Sequence, residues 1–579
     1  MASATQTFEL RTYNGTEFEV VVKPAIDPAK TGGRFPPVQP EVTVVDGIRM
    51  ERDVAVKLQD GTTIYADVYR PDGAKNVPAL IAWSPYGKRV GYAAPWAVPG
   101  VPSGTLSPGT KFEGADPDYW CRRGYAIINP DARGSGYSEG TLQIWTRQEA
   151  RDSAEFVEWA AAQDWCNGRV GMCGNSWLAV AQWGAAAERP PHLACIAPWE
   201  GTTDPYRQMF CVGGVPQVGF RRLLDTILVG AGLTEDLDVN ADLHPFYDAY
   251  WQEKVADLER IQVPAYVTAG WSHFHLWGAL EAFRRIGSDA KWLRIHREFE
   301  WPDAYARENL EDLGRFFDRY LKGHHNGWEL TPTVRMDVMD RGDRDHVNNR
   351  PETSFPLPDA ESRSYFLNAG TMALTDHAQG GEAEISYDAV SGTVAFEKVF
   401  DEDVELSGYM KLRLWVEARG NDDMDLFVAV QKADADGTFI PTLVMGRPHP
   451  GAPGILRVSH RELDEAASTE HEPVQRHTRE QLLKAGEIVA VDIPIWPSSR
   501  IWHAGERLRV TISGHYVRET TWFEQFAWDL RNKGHHVIHT GGKYDSRLVV
   551  PFIPARRGVK PGVSITSAAI PLLPEEAFK

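Results

Sequence analysis

The feature that most constrains this chain is an alternation of short apolar strands with amphipathic helices. It begins with the continuous apolar run Val77–Trp83 and goes on through Tyr125–Asn129, Arg147–Ala162, Arg169–Cys173, Leu178–Ala187 and Leu193–Ala197. It resumes with Val263–Ala269, Leu276–Ile286, Lys291–His296 and Leu310–Leu321. The alternation predicts a mostly parallel sheet covered by helices, because parallel neighbours need a crossover connection, which is usually a helix.

The other segments have different patterns. An Asn14-Gly15 pair between alternating residues predicts a hairpin, and a Gly- and Pro-rich linker follows it. One helical insertion, rich in aromatic and acidic residues, interrupts the α/β part and is interpreted as a cap. Strand-like alternations between Gly, Pro and Asp clusters predict an all-β sandwich or jelly roll at the C-terminal end. The expected extension, first α/β segment, cap, second α/β segment and β part are 1–40, 41–200, 201–262, 263–330 and 331–579.

The charge and composition exclude several classes of function. Acidic residues outnumber basic ones by 80 to 61, for a formal net charge of −19, and no stretch approaches the ~20 apolar residues of a membrane span. We therefore expect no nucleic-acid or membrane partner. Five cysteines without a CxxC pair, and no N-terminal signal, favour reduced thiols in a cytoplasmic protein. No nucleotide, flavin or zinc motif occurs, so we expect no cofactor and no metal. The N-terminal hairpin is a candidate contact in a homo-oligomer.

The sequence from Arg169 to Ala179, RVGMCGNSWLA, carries the strongest local signal for chemistry. A strand, a Gly-x-Ser turn and a helix follow one another there, which is the setting of a nucleophile elbow. The turn lifts the Ser176 hydroxyl from the carboxyl edge of the sheet, and the N-terminus of the next helix stabilises negative charge that develops beside it. Leu178 stands where a second glycine is usual. Ser176 is the candidate nucleophile.

Further motifs follow in order: Ala66–Pro71 (ADVYRP), Ser84–Lys88 (SPYGK), Asp131–Gly140 (DARGSGYSEG), Gly174–Ala179 (GNSWLA), Ala197–Gly201, Arg315–Gly323, Gly408–Val416, Val489–Trp496 and Ala504–Leu508. In these motifs the chain resembles the X-Pro dipeptidyl-peptidase, cocaine esterase and glutaryl and amino-acid-ester acylase family of CocE/NonD-like, S15-type serine hydrolases. The resemblance implies an α/β-hydrolase domain with a helical cap, followed by a jelly-roll domain of the galactose-binding-like type. It also implies that Ser176 is the nucleophile, with the Tyr86 hydroxyl and the Trp177 backbone N–H as the oxyanion hole.

The two other catalytic positions depart from the pattern of that family. The family's acid ends a Gly-Trp-Tyr-Asp sequence, whereas Gly270-Trp-Ser-His puts His273 in that position here. The family's histidine ends a Gly-Pro-Trp-x-His run, and a count without gaps puts Glu300 in its place. The usual order of an aspartate and then a histidine is therefore absent.

Three explanations stay open. In the first, the acid and the imidazole have exchanged places, so that His273 or its neighbour His275 pairs with Glu300 and one of them contacts Ser176. In a variant of this, Glu300 is itself the base, with a histidine behind it. In the second, hydrolysis is lost, and the site performs acyl transfer, a lyase-like or isomerase-like reaction, or ligand binding. In the third, His273 and His275 ligate a metal ion, which needs further ligands.

Trp199, Glu200 and Trp271 are candidate pocket residues. Glu200 follows the strand after the elbow, where α/β-hydrolases can also keep an acid, and Asp303 is a further candidate acid. Together these features predict a serine hydrolase that cleaves an ester or amide bond of a small-molecule substrate through an acyl-enzyme on Ser176, with a non-standard base and acid.

Overall fold

The computed structural model describes residues 7–89, 100–102, 104–444, 446–517 and 527–554. The first residues of the predicted extension and the last residues of the predicted β part lie outside these ranges. The strands of the first 330 residues are β1 (Thr7–Tyr13), β2 (Thr16–Pro24), β3 (Glu41–Val45), β4 (Ile48–Lys57), β5 (Thr63–Pro71), β6 (Val77–Ile81), β7 (Ala126–Pro130), β8 (Cys166–Asn175), β9 (Leu193–Trp199), β10 (Leu233–Glu235), β11 (Ala265–Gly270) and β12 (Lys291–His296).

The helices come from the same part of the chain. They are α1 (Pro117–Cys121), α2 (Arg147–Ala161), α3 (Trp177–Glu188), α4 (Val218–Ile227), α5 (Leu237–Leu243), α6 (Ala249–Gln252), α7 (Leu276–Arg285), α8 (Glu300–Ala304) and α9 (Arg307–Leu321). The side chain of Thr146 caps α2 by accepting a hydrogen bond from the backbone N–H of Glu149, as in a capping box. Among the described residues, no helix has both the length and the apolarity to cross a membrane.

The predicted parallel sheet is present, and its strand order is β3-β4-β5-β7-β6-β8-β9-β11-β12. From β7 to β12 the neighbours run parallel, and the first strands are antiparallel. All five residues of β6 are buried, because helices cover both faces of a parallel sheet. The carboxyl ends of four neighbouring strands lie at one edge of the sheet. Ser176 and Glu200 directly follow β8 and β9, Gly270 ends β11, and Glu300 begins α8 shortly after β12.

The cap lies between β9 and β11 and contains α4, α5, α6 and the short strand β10. The N-terminal hairpin β1–β2 packs on this cap, because β2 pairs with β10 to give a three-stranded sheet. Phe18 of β2 is buried with its ring edge-on to His244 and Tyr250. The Lys23 ammonium lies 3.1 Å from the Asp236 carboxylate. The hairpin thus belongs to the packing of the chain's own cap, and the homo-oligomer contact stays a prediction.

The described C-terminal part is built from strands. They are β13 (Val334–Arg341), β14 (Arg344–Glu352), β15 (Glu361–Asn368), β16 (Ala373–Thr375), β17 (Ala383–Asp388), β18 (Thr393–Val399), β19 (Val404–Arg419), β20 (Asp425–Ala433), β21 (Thr442–Val444), β22 (Arg447–His449), β23 (Ala452–Arg457), β24 (Val489–Trp502), β25 (Arg507–Ser513), β26 (His535–Thr540) and β27 (Arg547–Ile553). β13 pairs in parallel with β12, which joins this part to the central sheet.

The core of the C-terminal part lies between antiparallel strands. β19 pairs with β24, β26 and β27, and β20 pairs with β23 and β25. Alternate residues of β19, among them Leu412 and Leu414, share one apolar core with Val428 and Val430 of β20. Side chains of a strand alternate between its two faces, so β19 and β20 bury one face each against the other. Full burial of one such leucine contributes about 1.5–3 kcal/mol.

The packing of the hairpin predicts unequal effects for two phenylalanines. Phe18 is 7% exposed, whereas Phe8 on the outer strand β1 is 57% exposed. Because truncation of a buried phenylalanine costs about 3–5 kcal/mol, Phe18→Ala will lower the midpoint of thermal unfolding, measured by circular dichroism. Phe8→Ala is the matched control and will leave that midpoint nearly unchanged. Equal effects of the two substitutions would contradict docking of β2 on the cap.

Candidate active site

The nucleophile elbow is a strained turn between β8 and α3. Ser176 has φ 52° and ψ −116°, a conformation that costs a non-glycine residue on the order of 1–3 kcal/mol. Gly174 has φ 123°, and a Cβ there would lie 2.4 Å from Leu178 Cδ2 and 2.7 Å from the backbone oxygen of Glu113. The backbone N–H of Ser176 donates to the backbone oxygen of Glu200 at 2.9 Å. Only glycine fits at Gly174, and the hydroxyl-bearing residue is held at the sheet edge.

His275 is the imidazole that contacts the serine. Its Nε2 lies 3.1 Å from Oγ of Ser176. His275 is 1% exposed and immediately precedes α7. Burial, together with the positive charge on neighbouring His273, holds the pKa of His275 well below its usual value. A neutral imidazole at this distance can accept the serine proton.

His273 lies between two buried carboxylates. Its Nδ1 is 3.0 Å from Oε2 of Glu200, and its Nε2 is 3.5 Å from Oε1 of Glu300. Burial alone would lower the pKa of His273, but the charges of Glu300 and Glu200 outweigh it and raise the pKa to about 9. Burial raises the pKa of Glu300 against the opposing effect of His273. The raised pKa favours the imidazolium form of His273 at neutral pH, with the charge of Glu300 contributing more to it than that of Glu200.

A second histidine completes the surroundings of Glu200. His296 Nε2 lies 2.8 Å from Oε1 of Glu200 and 3.3 Å from Oδ2 of Asp303. Burial would raise the pKa of Glu200, but His273 and His296 together lower it to about 2. A Cβ on Gly270 would lie 3.0 Å from both Glu200 oxygens. The glycine at the end of β11 thus leaves room for this carboxylate.

Tyr86 and Trp177 stand beside the serine. The Tyr86 ring packs edge-on against the Trp177 ring at 5.9 Å, and the pKa of Tyr86 is raised well above the usual value by burial and by the charges of Glu113 and Glu300. The phenol therefore stays protonated and can donate. Trp177 is the first residue of α3, and its indole N–H donates to Glu149 at 2.8 Å. The backbone N–H of Trp177 belongs to the first turn of α3, where helix N–H groups have no partner within the helix, and the assignment of Tyr86 and Trp177 to an oxyanion hole stays a prediction.

The sequence patterns did not indicate one buried acid of the site, Glu113. Its backbone oxygen accepts a hydrogen bond from the Asn175 N–H at 3.2 Å, and its Oε1 accepts one from the Trp301 indole at 3.1 Å. Burial and the charge of Glu300 hold the pKa of Glu113 well above the usual value. Glu113 lies in an irregular loop before α1, where no periodicity marks any residue.

The structure brings Ser176, His273, His275 and Glu300 into one cluster, and it gives two of the predicted pocket residues other places. Trp199 is 2% exposed and belongs to the core, because its indole N–H donates to Asp303 at 3.1 Å and its ring packs on Tyr266. Its role as a pocket residue stays a prediction. Glu200 is fully buried behind His273. Asp303, the further candidate acid, is held by Arg294.

Trp271 does line a cavity. This cleft has an open volume of about 630 Å³ and lies between the loop after β11, the cap and the C-terminal part. Its walls include His273 and Phe274 from the loop, Phe220 from the cap and Trp496 from β24. Of the four clustered residues Ser176, His273, His275 and Glu300, His273 is the one among the lining residues of this cleft.

Two groups of described residues have the spacing of metal ligands. One ligand atom each from His273, His275 and Glu300 lies within 4.8 Å of the others. The second group is Glu384, Glu417 and His539 on the C-terminal part. In that second group the Arg419 guanidinium donates to both glutamates. The two carboxylates therefore already have a cationic partner.

Comparisons with known proteins agree with this arrangement. The chain matches the family profile "X-Pro dipeptidyl-peptidase (S15 family)" over residues 60–240 and "X-Pro dipeptidyl-peptidase C-terminal non-catalytic domain" over residues 326–549. It is 26% identical to cocaine esterase of Rhodococcus sp. (strain MB1 Bresler), with 88% of this chain and 100% of the relative aligned.

Two solved structures are also similar. A CocE/NonD family hydrolase from Staphylococcus aureus is 33% identical, with a TM-score of 0.82 over 95% of this chain and 97% of that one. An alpha-amino acid ester hydrolase is 18% identical and shares the fold, with a TM-score of 0.65 over 89% of this chain and 99% of that one. The matches cover both parts of the chain, which is therefore a two-domain hydrolase.

The charges around His273 predict a pH-dependent contribution to stability. A raised pKa in the folded state means that the contribution is complete below pH 6.5 and is lost as pH rises through about 9. The thermal midpoint of the wild type will therefore exceed that of His273→Gln by more at pH 6 than at pH 9.5. Between these two pH values the difference in the free energy of unfolding between the wild type and His273→Gln will shrink by at most about 3 kcal/mol.

The matched control is His536→Gln. Burial lowers the pKa of His536 to about 4, so the protonation of His536 in the folded chain does not change above pH 6.5. The difference in thermal midpoint between the wild type and His536→Gln will therefore stay constant from pH 7.5 to 9.5. A constant gap for His273→Gln over pH 6 to 9.5 would show that His273 is not held as an imidazolium.

Proposed function

Because the chain belongs to the CocE/NonD family of X-Pro dipeptidyl-peptidase-like serine hydrolases, we propose that it cleaves an ester or amide bond of a small molecule through an acyl-enzyme on Ser176. The observation that carries the proposal is the 3.1 Å distance between Ser176 Oγ and His275 Nε2. It supports the first explanation drawn from the sequence, in which the base is a histidine of the loop after β11.

The first half of the reaction forms the acyl-enzyme. His275 takes the proton of Ser176 as Oγ attacks the carbonyl carbon of the substrate. The carbonyl oxygen gains negative charge and accepts hydrogen bonds from the Tyr86 hydroxyl and the Trp177 backbone N–H. When the tetrahedral intermediate collapses, the bond to the alcohol or amine breaks, and His275 returns its proton to that leaving group.

The second half releases the acid. A water molecule gives a proton to His275 and attacks the acyl carbon, and the same two donors stabilise the second oxyanion. Collapse of this intermediate breaks the bond to Oγ, and His275 protonates the serine again. The low pKa of His275 supports this cycle, since the ring is neutral before each attack.

Glu300 takes the role of the acid in this proposal. One of its oxygens lies within 4.8 Å of a ring nitrogen of His275, and contacts that are loose in an empty site tighten when substrate binds. His273 holds Glu300 in place, and Glu200 holds His273. The alternative in which Glu300 is itself the base has less support, because the imidazole of His275 already contacts Ser176.

The cleft suggests where the substrate lies. Its walls include Phe220, Phe274 and Trp496, which favour an apolar or aromatic group. The C-terminal part supplies Trp496, and we infer that this part is the jelly-roll domain of the family and closes the site at that edge. The S15 and cocaine esterase relationships favour hydrolysis over the non-hydrolytic reactions that the sequence left open.

The central test is turnover of a series of p-nitrophenyl acyl esters. Ser176→Ala will lower kcat by at least about 10⁴-fold, and a fluorophosphonate probe will add one label to the wild type and none to this variant, measured by intact mass. His275→Ala will also lose labelling, because the serine is no longer activated.

The matched control is Ser153→Ala, which removes a buried hydroxyl that bonds within α2. It will keep full labelling and turnover. Labelling that survives in Ser176→Ala would refute the assignment of the nucleophile, and full turnover in His275→Ala would refute the assignment of the base.

A second prediction concerns the oxyanion hole. Tyr86→Phe removes one donor and keeps the ring, so kcat will fall by about 10²–10³ while KM changes little. Tyr206→Phe is the control, because its buried hydroxyl donates to the Pro245 backbone oxygen within the cap. Steady-state kinetics of both variants will separate the two roles. A change in KM alone in Tyr86→Phe would make Tyr86 a binding residue.

A further inference from the structure

We propose that the site also binds a transition-metal ion such as Zn²⁺ through His273, His275 and Glu300, and that the bound ion stops hydrolysis. The inhibitory half of this inference rests on the proposed function, whereas the binding half does not. Two imidazoles and a carboxylate are ligands that zinc prefers. Nothing in the reaction requires the ion, so the site acts as an inhibitory one.

The spacing of the donors fits a metal centre. Nε2 of His273 and Oε1 of Glu300 are 3.5 Å apart, and two ligands on a tetrahedral zinc with bonds of about 2.0–2.2 Å are separated by about 3.4 Å. One ligand atom each of His273, His275 and Glu300 lies within 4.8 Å of the other two, so a ring nitrogen of His275 is near enough to complete a three-ligand set.

Unsatisfied polar atoms point to the same place. Nε2 of His273, Nδ1 of His275 and Oε2 of Glu300 are buried without a hydrogen-bond partner among the described residues. Each of the three residues is at most 2% exposed. Buried polar atoms without partners are costly, and an ion bound by Nε2 of His273 would give that atom the partner it lacks.

The surroundings of His273 match those of a metal-bound histidine. A ligating imidazole usually gives its second N–H to a carboxylate, which fixes the ring and strengthens the ligand. Glu200 Oε2 lies 3.0 Å from Nδ1 of His273, and Nδ1 also accepts a hydrogen bond from the backbone N–H of His275 at 3.2 Å. Nδ1 is thus already surrounded by partners, which leaves Nε2 for the ion.

The bound ion would disable the base whichever nitrogen of His275 it takes. If the ion takes Nε2, the lone pair that faces Ser176 is used. If it takes Nδ1, the remaining proton sits on Nε2, which then donates to the serine and cannot accept its proton. Ser176 is not activated in either case. The ion can reach the cluster through the cleft that His273 lines.

The binding half is tested on full-length Ser176→Ala, which hydrolyses nothing and keeps all three ligands. Isothermal titration with Zn²⁺ will give one site per chain, and Co²⁺ will give the visible absorption of a low-symmetry site. Adding Glu300→Gln or, separately, His273→Gln will weaken Zn²⁺ binding at least about tenfold, with circular dichroism to check folding.

Glu384→Gln on the same background is the matched control for the other cluster on the C-terminal part. It will leave the affinity unchanged. No binding to Ser176→Ala, or loss of binding with Glu384→Gln instead of Glu300→Gln, would overturn the proposed site.

The inhibitory half is tested on wild-type ester hydrolysis. Zn²⁺ will abolish turnover, EDTA will restore it, and Mg²⁺, which prefers oxygen ligands, will have no effect. Glu384→Gln will be inhibited as the wild type is. Turnover that persists with the site saturated by zinc would overturn inhibition. A wild type without esterase activity would count against the proposed function and the inhibitory half, while the titration still decides the binding half.

Discussion

The backbone of the turn at Ser176 is the constraint on which the site depends. Three loops meet there through hydrogen bonds that involve no side chain. The Ser176 N–H donates to the Glu200 oxygen at 2.9 Å, and the Asn175 N–H donates to the Glu113 oxygen at 3.2 Å. Ser176, Glu200 and Glu113 all have positive φ. The nucleophile and two buried acids are therefore positioned by the same bonds, and a change in one loop would move the other two.

The second constraint is the balance of buried charge. Removing a single ion from water costs several kcal/mol, and a neighbour of opposite sign must offset that cost. The site meets this condition by alternation, with Glu200 between His273 and His296, and Asp303 between His296 and Arg294. His275 stands at the end of the series without a charge of its own. Burial and the positive ring beside it lower the pKa of His275, so the ring is neutral and suitable as a base.

The sequence was sufficient for the parts of the fold that have a local signature. A continuous apolar run, a Gly-x-Ser turn and a helix identify β8, Ser176 and α3, because burial on both faces and tight strand–helix packing restrict the residue types. The pairing of β2 with β10 and of β12 with β13 joins separate elements of the fold. Such pairing produces no periodic pattern in the sequence, so the sequence did not predict it. Glu113 was missed for the same reason, and the role of Trp199 stays a prediction, since an indole serves a pocket or a core equally well.

The geometry of the sheet allows the proposed exchange of imidazole and carboxylate. β11 pairs in parallel with β9 on one side and β12 on the other, and neighbouring strands lie about 4.7–4.9 Å apart. A side chain from any of the three following loops can therefore reach the same space beside Ser176. The middle loop carries both His275, which contacts Ser176, and His273, and carboxylates from the two flanking loops reach His273 from opposite sides, as Glu200 and Glu300 do. A triad is defined by these contacts and roles, so its order along the chain is free to change.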